Sequence, residues 1–176
     1  RNIRRAGLQD RLSVQRADAY CLPFPDQSFD ILINEAMLTM LTGDGKDRAL
    51  SEYCRVLKPG GLLLTHDVCF YEENPEKQRE LRAGLSRAIR MNVEPLSVPG
   101  WKAILEKHSF RPVQRCGRIT LMDPIGMIRD EGLLRAAAII LRGQKKEERE
   151  MFHTMSRYFK EHDRELGYIA SVSEKR

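Results

Sequence analysis

Apolar and polar positions along the chain fall into two alternating kinds of segment. Arg11-Leu12-Ser13-Val14-Gln15-Arg16-Ala17 alternates with a period of two, which predicts a half-buried strand ending at Asp18. After a loop carrying Pro23 and Pro25, the run Phe29-Asp30-Ile31-Leu32-Ile33 is nearly continuous and apolar, the pattern of a central parallel strand covered on both faces, with Asn34 and Glu35 at its C-terminal end. Gly43-Asp44-Gly45 breaks the chain before a helix over 46–57, whose Ala49, Leu50, Tyr53, Val56 and Leu57 share one face. Lys58-Pro59-Gly60-Gly61 ends it, because Pro59 disfavours helical geometry at Lys58 and the glycines permit a tight turn. Leu62 to Thr65 is the next buried strand, with His66 and Asp67 at its end.

The second half reads mainly as helices. One is predicted over 76–90, with Leu81, Leu85, Ala88 and Ile89 on one face, and another opens at Pro99 with Trp101, Ile104 and Leu105 inward. A strand follows over 111–121, with a bulge expected at Gly117. Two helices are expected over 124–141 and 145–166, the second carrying Phe152, Met155, Phe159 and Leu166 on one stripe. The alternating Gly167-Tyr168-Ile169-Ala170-Ser171-Val172-Ser173 closes the chain as a strand. At the other end, Asn2 to Ala6 reads as the last turn of a helix stopped by Gly7. With no Met at position 1, the expectation is that residues have been lost upstream.

Composition narrows the class without naming the chemistry. The 176 residues, 41% hydrophobic and 31% charged, suit one soluble domain, and no apolar run approaches the roughly 20 residues of a membrane helix. No apolar stretch follows the basic N-terminus, so a cytoplasmic rather than a secreted protein is expected. Cys21, Cys54, Cys69 and Cys116 are scattered without a C-x-x-C pair, which argues against a zinc site or a disulfide framework. The net charge of +5 points to nucleic acid only until it is located, because residues 1–17 hold five arginines against one aspartate. A patch that small is a solvated face rather than a phosphate groove.

Three motifs in order carry more. Asp18-Ala19, then Leu22-Pro23-Phe24-x-Asp26-x-Ser28-Phe29-Asp30, then Glu52-x-x-Arg55-Val56-Leu57-Lys58-Pro59-Gly60-Gly61 closely resemble the downstream motifs of class I S-adenosylmethionine-dependent methyltransferases. The likeness is nearest to the small-molecule group that includes the ubiquinone and menaquinone biosynthesis methyltransferases. It implies an α/β fold with a Rossmann-like sheet in the strand order 3-2-1-4-5-7-6, the last strand antiparallel. On that scheme the strand ending at Ala17 is the third, 30–33 the fourth, 62–65 the fifth, the segment near Val113 the sixth and 168–173 the seventh. The first two strands are missing, and with them the Gly-rich loop that wraps the methionine end of the cofactor and the acid that holds its ribose. The third strand then lacks a neighbour and the fourth becomes an open edge, where a homodimer could form. The implied organisation is a single partial domain: cofactor-side strands over 1–70, helical lid insertions over 71–110 and 122–166, and a last strand over 167–176.

The resemblance also implies roles. Asp18 would accept a hydrogen bond from the adenine amine of S-adenosylmethionine, and Ala19 would offer its backbone N–H to the ring, against a plainer reading of Asp18 as a loop cap. Asn34 would lie beside the transferred methyl, whereas Asp30 is structural. Methyl transfer needs an aligned acceptor, exclusion of water and, when the acceptor carries a proton, a base. Glu35, His66 and Asp67 are the candidates, histidine being suited to proton removal near neutrality. Tyr71, Trp101, Met122, Met127, Ile128, Phe152 and Met155 are candidate walls for a small apolar methyl acceptor. Residues 142–165 carry seven Lys or Arg against six Asp or Glu, which speaks against a groove for RNA. The alternatives are a non-catalytic methyltransferase-like binding or oligomerisation module and an RNA methyltransferase.

Overall fold

A computed structural model describes residues 2–119, 128–129, 132–143 and 149–176. A single helical turn, α1 (Asn2–Arg5), precedes a long irregular stretch that leads into strand β1 (Phe29–Glu35). A 3-10 turn (Leu38–Met40) and helix α2 (Gly45–Val56) connect β1 to the long strand β2 (Leu57–Phe70). Helix α3 (Pro75–Ile89), the short strand β3 (Leu96–Ser97), helix α4 (Val98–Lys107) and strand β4 (Phe110–Gly117) follow. Among the described residues beyond β4 come α5 (Leu133–Gly143), α6 (Arg149–Glu161) and strand β5 (Leu166–Lys175).

The sheet runs β1-β2-β5-β4, with β3 against the end of β2. β1 and β2 are parallel, and β5 is antiparallel to both β2 and β4. This is the 4-5-7-6 half of the expected order. α2 and α4 cover one face, where Leu50, Tyr53, Leu63, Trp101, Leu105, Phe110 and Ile169 form the main core. Strand alternation sends the intervening residues to the other face. There Ile33 is 71% exposed and Val113 is 70% exposed.

The strand expected over 11–17 does not form. Those residues are irregular, Val14 is 87% exposed, and the only pairing nearby is an isolated bridge from Asp18 to Cys21. Alternation makes a segment compatible with a sheet, but a strand needs a neighbour for its N–H and C=O groups, and none stands beside this one among the described residues. β1 accordingly forms the open edge of the sheet.

Other boundaries also moved. β2 extends on both sides of 62–65, so His66 and Asp67 lie inside the strand rather than at its end. β5 accompanies β2 from Leu62 to Phe70 and supplies the partner that sustains this length. Lys58 to Gly61 is a bulge in β2, since Phe29 faces Leu57 while Ile31 faces Leu62. Gly60 there has φ +73°, and a Cβ on Gly61 would come within 2.9 Å of the Lys58 carbonyl oxygen. Gly117 makes no bulge. The β4–β5 register is continuous through Gly117 opposite Tyr168, and a Cβ at Gly117 would meet the Tyr168 ring at 2.6 Å. β4 ends at Gly117 rather than at Leu121, which lies outside the described residues. Leu166 is a buried residue of β5, not the end of the preceding helix.

Candidate functional site

The Leu22 to Asp30 motif makes a loop whose shape is set by one side chain from α2. Arg55 donates from Nη1 to the Phe24 carbonyl (2.9 Å) and to Asp26 (2.7 Å), and from Nη2 to the Leu22 carbonyl (3.0 Å) and to Glu52 (2.8 Å). Its Nε donates to the other Glu52 oxygen at 2.8 Å, and Glu52 also accepts the Leu22 N–H at 2.8 Å. The planar fork of a guanidinium matches this arrangement of acceptors. Asp30, at the far end of the loop, pairs with Lys58 at 2.7 Å, both side chains exposed.

Arg55's hydrogen bonds, helped by the Leu22 N–H and opposed by desolvation, hold the Glu52 carboxyl down to about 2 from its ordinary 4.5. A carboxyl lowered on folding adds stability above its unfolded value and loses it as acid is added. Glu52→Gln should therefore cost about 1 kcal/mol at neutral pH after solvent screening. The difference from the parent should shrink from pH 4.5 down to about 2, as read by urea unfolding across pH.

This loop carries Asp18 and Ala19 to an open concavity shared with Arg16, Tyr20, Met37 and Leu41. Asp18 Oδ1 accepts the Tyr20 N–H at 2.9 Å, the local cap that the plainer reading anticipated. Asp18 Oδ2 and the Ala19 N–H make no hydrogen bond among the described residues. An acceptor and a donor side by side suit the Watson–Crick edge of an adenine.

At the C-terminal end of β1 and the part of β2 beside it, alternation divides four polar residues into two pairs. Asn34 and Asp67 turn inward. The Tyr53 hydroxyl donates to Asn34 Oδ1 (3.0 Å), Asn34 Nδ2 donates to Asp67 Oδ2 (3.2 Å), and the Thr39 N–H donates to Asp67 Oδ1 (2.8 Å). Burial pushes the Asp67 carboxyl up against the effect of Thr39, and it pushes the Tyr53 phenol up to about 12. Both Asp67 oxygens are thus engaged, Oδ1 fixing the 3-10 turn to the sheet and Oδ2 tying β2 to Asn34 of β1. Glu35 and His66, opposite one another in the parallel register, turn to the other face, with Glu35 Oε1 2.7 Å from His66 Nδ1. The Tyr168 ring stands 5.3 Å from the imidazole.

Glu35, His66 and Asp67 line one end of a cavity of about 490 Å³. Its remaining walls are mainly apolar: Leu85 and Ile89 of α3, Met155 and Phe159 of α6, Val93, and Met40 of the 3-10 turn. Of the expected wall residues, Met155 is present. Trp101 belongs to the core under α4, and a Cβ on Gly167 would lie 2.4 Å from the hydroxyl of Tyr71, which is packed there against β5. Ile128 and Phe152 do not line the cavity, and Met122 and Met127 lie outside the described residues. Sequence reasoning missed most of the other walls, among them Met40, Leu85, Ile89, Val93, Phe159 and Tyr168. The alternation of the last strand gave Tyr168 a face but no neighbour; the register sets it opposite Val68, two residues from His66 on the same face of β2, where the two rings meet.

Comparison with known proteins adds a family. The family profile described as "Methyltransferase domain" matches residues 1–65. An uncharacterized protein of Haemophilus influenzae is 46% identical over 175 residues, covering 99% of this chain and 68% of that protein. The ubiquinone/menaquinone biosynthesis C-methyltransferase UbiE of Francisella tularensis is 47% identical over 58 residues, or 33% of this chain and 22% of that enzyme. The chain thus spans under a quarter of that enzyme's length. Among solved structures, geranyl diphosphate C-methyltransferase from Streptomyces coelicolor, in complex with Mg2+, geranyl diphosphate and S-adenosyl-L-homocysteine, superposes with a TM-score of 0.66. It shares 14% identity over 99% of this chain and 56% of its own, a likeness of fold.

Proposed function

The chain belongs to the class I S-adenosylmethionine-dependent methyltransferases, and on that premise we propose that the full-length protein methylates a small apolar acceptor held in the cavity over Glu35 and His66. The observation that carries this reading is a mainly apolar cavity of about 490 Å³ with a carboxylate–imidazole pair at one end. That volume lies within the range of small-molecule sites. When bound, S-adenosylmethionine supplies an electrophilic methyl group. Asp18 and Ala19 hold its adenine through the free carboxylate oxygen and N–H described above.

The residues of this chain then do three things. The α3 and α6 walls exclude water from the acceptor and align it. Glu35 accepts a hydrogen bond from His66 Nδ1, which leaves Nε2 as the atom free to take the acceptor's proton. Asn34 and Asp67, expected from the sequence as a cofactor contact and a candidate base, serve in this reading as the buried frame that keeps the 3-10 turn beside that pair.

Calorimetric titration of the full-length protein with S-adenosylhomocysteine tests the reading. Binding is expected, and Asp18→Ala should weaken it about tenfold, the size of one charge-assisted hydrogen bond. Absence of binding, or equal affinity in the variant, would remove Asp18 from the cofactor site.

A further inference from the structure

Two of the cavity's walls come from different parts of the chain, and both are tied to one residue, Glu94, that neither cofactor nor acceptor chemistry uses, one wall through its carboxylate and the other through its backbone N–H. One wall is α3 with the segment after it, through Leu85, Ile89 and Val93; the other is the 3-10 turn, through Thr39 and Met40. Glu94 stands between them. Its backbone N–H donates to the Thr39 carbonyl at 2.8 Å. Its Oε1 accepts from Arg82 Nη1 of α3 at 2.8 Å, and its Oε2 accepts from the Gly43 N–H at 2.9 Å.

Beneath the same carboxylate lies Lys46. Its side chain is 4% exposed, its Nζ is 3.8 Å from Glu94 Oε2, and it donates to the Leu41 carbonyl at 2.5 Å. Burial lowers the Lys46 pKa while Glu94 and Asp67 oppose the shift, so Glu94 helps to keep this desolvated ammonium charged. A buried cation with so few partners is costly to leave uncompensated. The chain retains it where the loop over 41–46, the 3-10 turn and α3 converge.

We infer that Glu94 is a positioning residue that latches α3 to the loop over 38–46 and so sets the width, and with it the size selectivity, of the acceptor cavity. The inference rests on the reading of this cavity as the acceptor site. The latch is a single point: Arg82 supplies the arm from α3, Gly43 and Lys46 the arm from the loop, and the Glu94 backbone the tie to the turn. Cutting the α3 arm leaves α3 held by α6, where the Tyr158 hydroxyl donates to the Leu81 carbonyl at 2.6 Å, and removes its tie to the loop, so Leu85 and Ile89 are expected to shift outward on the loop side without touching Glu35 or His66.

The test uses Arg82→Ala, which removes a half-exposed side chain and should fold normally, beside Glu94→Gln, which keeps the shape but removes the ion-pair partner of Lys46. Amide exchange over 81–93 should speed up about tenfold while exchange over 62–68 stays the same, the signature of a local opening. Affinities for a small probe, indole, and a larger one, 8-anilinonaphthalene-1-sulfonate, should shift about fivefold in favour of the larger. Arg82→Lys should restore the parent ratio, since a cation still reaches Glu94. Unchanged exchange and an unchanged probe ratio in Arg82→Ala would overturn the inference, and so would faster exchange with the ratio intact. Neither readout needs cofactor or methyl transfer, so a failed S-adenosylhomocysteine titration would sink the functional reading while leaving this result legible.

Discussion

Replacing Arg55 with alanine is expected to weaken S-adenosylhomocysteine binding about tenfold, although Arg55 lies outside the concavity that holds Asp18 and Ala19. The loop over 18–28 has almost no backbone ladder of its own. Its internal backbone bonds run from Cys21 to Asp18 and from Phe24 to Leu22, and the Gln27 and Ser28 N–H groups reach the end of α2. What fixes the middle of the loop is the fork of Arg55 on the Leu22 and Phe24 carbonyls, with Glu52 closing the ring on the Leu22 N–H. Without the guanidinium, two carbonyls and the Asp26 carboxylate lose this donor, Glu52 keeps only the Leu22 N–H, and the loop samples shapes in which Asp18 and Ala19 no longer present adjacent acceptor and donor. If the competent shape falls to about a tenth of the population, apparent affinity falls by the same factor. Arg55→Lys should recover only part of the loss, because an ammonium is a point charge without a planar fork. Calorimetry on the two variants checks this. Parent-like affinity in Arg55→Ala would show that the loop holds its shape by other means.

How much of this was legible beforehand differs from residue to residue, for physical reasons. α2, α4 and β5 followed from spacing, since a face that must be buried repeats at the period of its own backbone. β1 followed from its apolar run, but not as a strand covered on both faces: it is the sheet edge, with Ile33 71% exposed. The segment over 11–17 carried an equally clear alternation and yet is irregular, because whether it becomes a strand depends on a neighbour that its own residues do not encode. The motif around Asp18 and Arg55 was recognisable as wording, but its meaning was only half visible. Its functional half, Asp18 and Ala19, rests on resemblance. Its structural half, Arg55 reaching 31 residues back to Phe24, is a tertiary contact that no local pattern announces.

The four polar residues at the strand ends show the same limit. Glu35, His66 and Asp67 read as a single group of candidate bases, His66 favoured by its imidazole, while His66 and Asp67 are placed at the end of a strand. Once β2 continues through them, alternation must send neighbours to opposite faces. His66 then stands with Glu35 and Asp67 with Asn34, so one register assignment separates the pair proposed to handle the proton from a buried frame.

That sorting yields the other large expected effect. In the full-length protein, with an acceptor that must lose a proton, His66→Ala should lower kcat on the order of 10²–10³-fold, the usual contribution of a general base. The affinity for S-adenosylhomocysteine should hold steady, because Asp18 and Ala19 lie in a separate concavity. Glu35→Gln should cost less, about tenfold. It keeps a hydrogen-bond acceptor 2.7 Å from Nδ1 but removes the negative charge that stabilises the imidazolium once the proton has arrived. Asp67→Asn should behave differently from both. Its oxygens already accept from Thr39 and Asn34, so the change disturbs the 3-10 turn and shows first as lost stability. The measurement is the initial rate of S-adenosylhomocysteine release from a panel of phenolic and carbon-acid acceptors small enough for a cavity of about 490 Å³. Equal kcat for His66→Ala and the parent would mean that the acceptor reaches the cavity already deprotonated, or loses its proton to solvent, and the Glu35–His66 pair would then be a packing contact beside Tyr168.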